Sequence, residues 1–158
     1  MKEKTCCFSG HRILPADETG EIRNRIINAV RELVQRYDVR YFGVGGAIGF
    51  DMLAAETLFE LRDGEFPHIK VILVYPFPGY NENWSTAQKN RLRMLLPKFD
   101  KTVCVSQHGS REAYLARNRH LVDNAKFCIV YCNKKSGGTA YTLWYAKAKG
   151  AAVYNPAQ

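Results

Sequence analysis

Short apolar runs and longer stripes at helical spacing take turns along this chain. Residues 5–9 form the first run, a buried strand candidate that breaks at Ser9-Gly10-His11-Arg12. Ile22, Ile26, Val30, Leu33, Val34 and Tyr37 then recur every three or four residues. That is one apolar stripe down a helix, with the acidic Asp17 and Glu18 near its start. Residues 39–44 give a second strand that runs into glycines, and Leu53, Ala54, Leu58 and Leu61 mark a helix over 52–61. Asp63-Gly64 closes it and Pro67 bars its continuation. Residues 69–75 are almost continuously β-branched, as in strands buried on both faces, which are usually parallel. A helix over 86–96, a short strand over 102–105, a helix over 111–125, a strand over 127–132, a helix over 140–149 and a last strand over 151–154 complete the pattern.

Strands alternating with helices predict an α/β fold. The expected architecture is a three-layer Rossmann-like domain with a mostly parallel sheet of about five to six strands. With 158 residues, one domain over 1–158 is expected, and no repeat, linker or low-complexity segment interrupts it.

Composition changes this picture little: 46% apolar and 24% charged residues are ordinary for a globular protein. The net charge of +8 admits nucleic acid, acidic lipid or small phosphates as partners, but no block of like charge singles one out. A nucleic-acid groove is possible and not favoured, because clustered basic residues and exposed aromatics are not evident. Cys6, Cys7, Cys104, Cys128 and Cys132 all fall in expected strands. Their odd number and spacing argue against disulfides or zinc, and they read as small buried residues in a reducing compartment. His68, His108 and His120 show no ligand spacing, so no metal is assigned. With no signal peptide or membrane span visible, a soluble cytoplasmic protein without membrane association is expected.

Candidate chemistry sits at strand ends, where open α/β sheets bind ligands. Three such ends carry glycine-rich or polar sequence: residues 9–12, 45–51 and 136–139. If the first, second and fifth strands are neighbours, these loops meet. Glycine amides of the second loop, Gly46 above all, and Arg12 suit phosphate, and Asp51 suits sugar hydroxyls. Asp51 equally suits stabilisation of its own helix start. Ordinary dinucleotide and P-loop fingerprints fail: Ile48 stands where glycine is needed, and no Gly-Lys-Ser/Thr follows. A dehydrogenase would carry an acidic residue at the end of the third strand, where Tyr75-Pro76 stands. A Ser9–His11 nucleophile pair is weak. Tyr80 and Trp84, after the third strand, could stack on a base or anchor their own loop.

Ser9-Gly10-His11-Arg12, Gly45-Gly46-Ala47-x-Gly49-x-Asp51, Arg117-Asn118 and Ser136-Gly137-Gly138-Thr139, in that order, resemble the SLOG superfamily. This is the Rossmann-like group of the DNA-processing protein DprA and the LOG phosphoribohydrolases, and the small stand-alone YpsA-like branch is the nearest. The resemblance implies a nucleotide or nucleotide-derived ligand, a nucleoside phosphate or something like ADP-ribose, bound across these loops. It also implies dimers or larger oligomers. LOG enzymes cleave the N-glycosidic bond with an arginine, which Arg117 matches, and a glutamate after the second glycine motif. Here residues 140–144 offer no carboxylate. With Arg117 and Asp51 as the catalytic candidates, turnover stays open. Arg117 also suits a surface position on its helix. The expected function is ligand binding as a sensor or scaffold, with no cofactor assigned. LOG-like hydrolysis of nucleoside monophosphates and DprA-like binding of single-stranded DNA are the alternatives.

Overall fold

A computed structural model describes all 158 residues. Its strands are β1 (Thr5–Gly10), β2 (Tyr41–Val44), β3 (Lys70–Tyr75), β4 (Lys101–Cys104), β5 (Phe127–Tyr131) and β6 (Ala152–Tyr154). Its α-helices are α1 (Thr19–Tyr37), α2 (Phe50–Asp63), α3 (Thr86–Leu95), α4 (Arg111–Asp123) and α5 (Gly138–Ala148). The strands form one sheet in the order β4-β3-β2-β1-β5-β6. All neighbours are parallel, so the sheet is wholly rather than mostly parallel. The order reverses between β1 and β5, and that is where a crevice opens in such sheets.

Side chains alternate across each strand, and both faces are covered. Cys6 and Phe8 of β1, Phe42 of β2 and Val71 and Leu73 of β3 pack with Ile26, Val30 and Leu58 in the larger core, which also takes in α3 through Leu92. Cys7, Val74, Cys128 and Val130 pack on the other face with Leu121, Val122 and Ala146 of α4 and α5. In α1 the buried residues are Ile22, Ile26, Val30 and Val34, every fourth position of the expected stripe. In α2 ten of fourteen residues are buried, making it the central helix of its layer.

The differences from the sequence reading are local. The helix after β5 begins at Gly138, two residues early, so Gly138 and Thr139 belong to its first turn. Pro97 sits in a 3-10 turn, Leu96–Lys98, after α3. Of the five free cysteines, Cys132 lies one residue past β5 and Cys104 is only half-buried. Tyr80 donates to the Gly46 carbonyl at 2.7 Å, stacks on Tyr75, and meets Trp84 edge-on at 5.5 Å between ring centres. Both rings pack on the core, so they anchor their loop. No helix is long and apolar enough to cross a membrane.

Candidate functional site

A cleft of about 530 Å³ lies at the reversal point, beyond the carboxyl ends of β1 and β5. That is within the usual size of small-molecule sites, roughly 300–1,000 Å³. Twelve of the fifteen expected residues line it: Ser9, Gly10, His11, Arg12, Ala47, Asp51, Arg117, Asn118, Ser136, Gly137, Gly138 and Thr139. Gly45, Gly46 and Gly49 do not.

The first glycine motif is used up inside the protein. A Cβ on Gly49 would lie 2.3 Å from the Arg12 carbonyl oxygen, and its φ of +80° is left-handed, so only glycine fits where the two loops interlock. The same interlock uses the first amide of α2, since Phe50 N–H donates to the His11 carbonyl at 3.1 Å. The Ala47 amide donates to Asp51 Oδ2 at 3.2 Å. A side chain on Gly46 would meet Leu73 and the Tyr80 hydroxyl at 2.6 Å. Gly46 therefore faces the core and its supporting loop, and the expectation that it makes room for phosphate is corrected. Gly10 reaches the cleft, but its own Cβ direction is filled by the Phe50 ring at 2.4 Å.

The second glycine motif is open. Gly137 and Gly138 have nothing within 4 Å of where a Cβ would stand. Gly137 is the N-cap of α5 and provides no side-chain cap, so the first amides of that helix lack a side-chain acceptor. Such an end attracts anions through free N–H groups and the helix dipole. α3 and α4, by contrast, are capped by Ser85 and Ser110.

Arg117 is 5% exposed, which overturns the surface reading of this residue. Its Nε donates to Asn118 Oδ1 at 2.8 Å and its Nη1 to the Gly45 carbonyl. Burial pushes the Arg117 pKa down, and Asp51 opposes that. Asp51 is also 5% exposed, and its Oδ1 has no partner. Burial raises the Asp51 pKa to about 6 against the pull of Arg117, the Ala47 amide and Arg12. A buried acceptor without a donor is costly, and Oδ1 is the one unsatisfied buried side-chain oxygen or nitrogen of the protein. Asp51 is the only acidic residue lining the cleft. His11 accepts from the Asn133 amide through Nε2 at 3.0 Å. Burial, with help from Lys134, lowers the His11 pKa, so the ring is held as a neutral acceptor.

Sequence reasoning missed Arg111, Tyr114, Leu115, Lys134 and Tyr141, which also line the cleft. Arg111, Tyr114, Leu115 and Asn118 follow the i, i+3, i+4, i+7 rule along α4, a stripe that could have been found had polar residues been counted with apolar ones. The charge is concentrated here. Eight of the twelve arginines pair with carboxylates. Of the other four, Arg12, Arg111 and Arg117 line this cleft, and only Arg93 lies elsewhere. No group of three or more His, Cys, Asp or Glu comes close enough to hold a metal ion.

Fold and cleft thus define a Rossmann-like α/β domain with a basic, partly buried site at its reversal point. The YspA SLOG family model, YpsA, matches residues 16–155, and the chain belongs to that family. A UPF0398 protein of Shouchella clausii is 27% identical over 130 residues, 80% of this chain and 69% of that protein. The SPbeta prophage-derived protein YoqJ of Bacillus subtilis is 24% identical over 139 residues, 80% of this chain and 81% of its own. Among solved structures, DprA of Streptococcus pneumoniae superposes with a TM-score of 0.69 at 20% identity, over 98% of this chain. DprA of Helicobacter pylori, whose structure concerns its single-stranded DNA binding mode, gives 0.66 at 16% identity over 96%. This chain spans half of the first DprA chain and 64% of the second.

Proposed function

We propose that this chain binds a nucleotide or nucleotide-derived ligand in the cleft and acts as a sensor or scaffold. The carrying observation is that three of its four arginines without a carboxylate partner face one cleft. An uncapped helix start, Gly137 and Gly138, opens on the same cleft. A phosphoryl group fits the α5 amides, Ser136, Lys134 and Arg117. The unpartnered Asp51 Oδ1 accepts a sugar hydroxyl. Glycosidic hydrolysis is not favoured, because one carboxylate would serve both as charge stabiliser and as base. Native mass spectrometry of protein purified without added nucleotide is the test, followed by calorimetry with AMP and ADP-ribose. A nucleotide mass in the folded peak, lost in Lys134→Ala, supports the reading; no binding of either compound refutes it.

One observation favours single-stranded DNA as a second reading. Trp144 is 62% exposed on α5 and lies 5.9 Å from the cleft residue Tyr141, ring centre to ring centre. An aromatic ridge leading out of a basic cleft suits base stacking, and the DprA of Helicobacter pylori is described as a single-stranded DNA binder. Filter binding between low and physiological salt decides: sub-micromolar affinity that survives physiological salt puts this reading first. A cytoplasmic location belongs to the main proposal and is supported by five free thiols. So does homo-oligomerisation, for which the open edge of β6 gives room.

A further inference from the structure

The cleft has two levels, set by how α4 and α5 lie together. Arg119 Nη1 donates to the Tyr141 hydroxyl at 3.3 Å, and the Tyr145 hydroxyl donates to Asp123 at 2.7 Å. Both pairs are 22 residues apart, so the helices run side by side in one direction, and the start of α5 is level with Arg117. Arg117 bonds the carbonyl of Gly45, the residue just past β2, so this level is the floor at the strand ends. Arg111 stands six residues earlier on α4, about 9 Å further out at 1.5 Å per residue.

That rim is built rather than frayed. The Tyr114 ring, between the levels, meets Phe77 edge-on at 5.3 Å, and the Arg12 guanidinium lies 5.3 Å from its centre. Ser110 already caps the start of α4, accepting from Ala113 N–H at 3.0 Å. The neighbouring carboxylate, Glu112, is taken by Arg119. Arg111 is therefore left at the mouth as a cation without an acidic partner, while Arg12 lies beside Tyr114, as Arg117 does, where its charge acts on both Asp51 and Arg117. The floor holds the buried, unpartnered oxygen of Asp51.

Building on the nucleotide reading above, we propose that the ligand is a nucleoside carrying two phosphoryl groups on separate ribose carbons. One sits on the floor at Arg117 and the start of α5, and the other at the rim at Arg111, with Arg12 beside Tyr114 between the two levels. The two phosphates of a diphosphate are adjacent and cannot occupy both levels; phosphates separated by the sugar can. Tyr114 stands beside the sugar or base between them.

Calorimetry with adenosine 3′,5′-bisphosphate, AMP and ADP tests this on wild type, Arg111→Ala and Arg111→Lys. Loss of one charge-assisted contact corresponds to about tenfold in affinity. The bisphosphate is expected to bind about tenfold more tightly than AMP or ADP. Arg111→Ala removes that margin while AMP binding persists, and Arg111→Lys retains part of it. Arg111 is exposed and makes no protein hydrogen bond that the fold would lose, so the variant folds. The proposal is overturned if the bisphosphate binds no more tightly than AMP, if Arg111→Ala weakens both alike, or if a short single strand outcompetes the bisphosphate. AMP binding with no bisphosphate margin sinks only the two-phosphate ligand. No binding of any mononucleotide sinks the nucleotide reading as well.

Discussion

Asp51 and Arg117 converge on Gly45: a methyl group there would lie 2.8 Å from Asp51 Oδ2 and 2.9 Å from Arg117 Nη1. The two charges face each other around one backbone residue without bonding, since Oδ2 takes the Ala47 amide and Nη1 takes the Gly45 carbonyl. Each is 5% exposed, so each is the main compensation for burying the other. Replacing Arg117 by Met fills the space but leaves only the Ala47 amide and Arg12 to offset the burial of Asp51, and leaves the Gly45 carbonyl without its donor. The expected cost is about 2–4 kcal/mol. Urea denaturation with an unchanged m-value checks it, and a loss below about 1 kcal/mol would mean that the pair is not electrostatically coupled.

The same burial gives a pH signature. The Asp51 pKa in the folded protein is about 6, above the 3.8 of the free group, so the folded state holds the proton more tightly. Between those values the unfolded chain binds fewer protons, and stability falls as pH rises. Around Asp51 the charged neighbours are Arg117 and Arg12. Asp51→Asn removes the titration. The stability of the variant relative to wild type should therefore rise by on the order of 2–3 kcal/mol between pH 4 and pH 7. A difference that stays flat across that window would show that Asp51 is normally solvated.

The two glycine motifs should respond in opposite ways to alanine. At Gly49 the added carbon runs into the Arg12 carbonyl and the backbone is left-handed. The strain and overlap together cost about 2–4 kcal/mol. At Gly138 nothing stands in the way, and alanine favours the helix by up to about 1 kcal/mol. Thermal denaturation of both variants separates the structural motif from the open one. Equal destabilisation would mean that the start of α5 is as tightly packed as the start of α2.

These contrasts mark where the sequence could be read and where it could not. The stripe of Ile22, Ile26, Val30 and Val34, the β-branched β3 and the meeting of three strand-end loops follow from periodicity and chain order. A glycine, however, has no side chain to show which way it faces. Gly46 pressed against Leu73 and Gly138 facing solvent look alike in a string of letters. Arg117 escaped for a related reason. Burial of an arginine depends on a carbonyl 72 residues away and a carboxylate on another helix, which no local pattern encodes. Arg111 and Tyr114 were overlooked because the helical stripe was traced through apolar residues, and the cleft wall of α4 is polar and aromatic.

The last expectation concerns turnover. Glycoside cleavage develops positive charge on the sugar and needs a placed water, and acid–base help contributes roughly two to four orders of magnitude. Asp51 is the one carboxylate in the cleft, and near neutral pH it sits close to its pKa of about 6 beside Arg117. It cannot both stabilise the sugar and deprotonate water. No adenine should therefore be released from AMP in overnight incubations followed by chromatography. Among the positions after Gly138 where a glutamate could be added, Tyr141 lines the cleft. Thr142 is buried with its hydroxyl bonded to the Gly138 carbonyl at 2.9 Å, and Leu143 packs on the smaller core. Tyr141→Glu is thus the variant in which trace hydrolysis is expected, with Arg119 in place to hold the new carboxylate. Adenine released by the wild type, and abolished by Asp51→Asn, would make this chain an enzyme and refute binding without turnover.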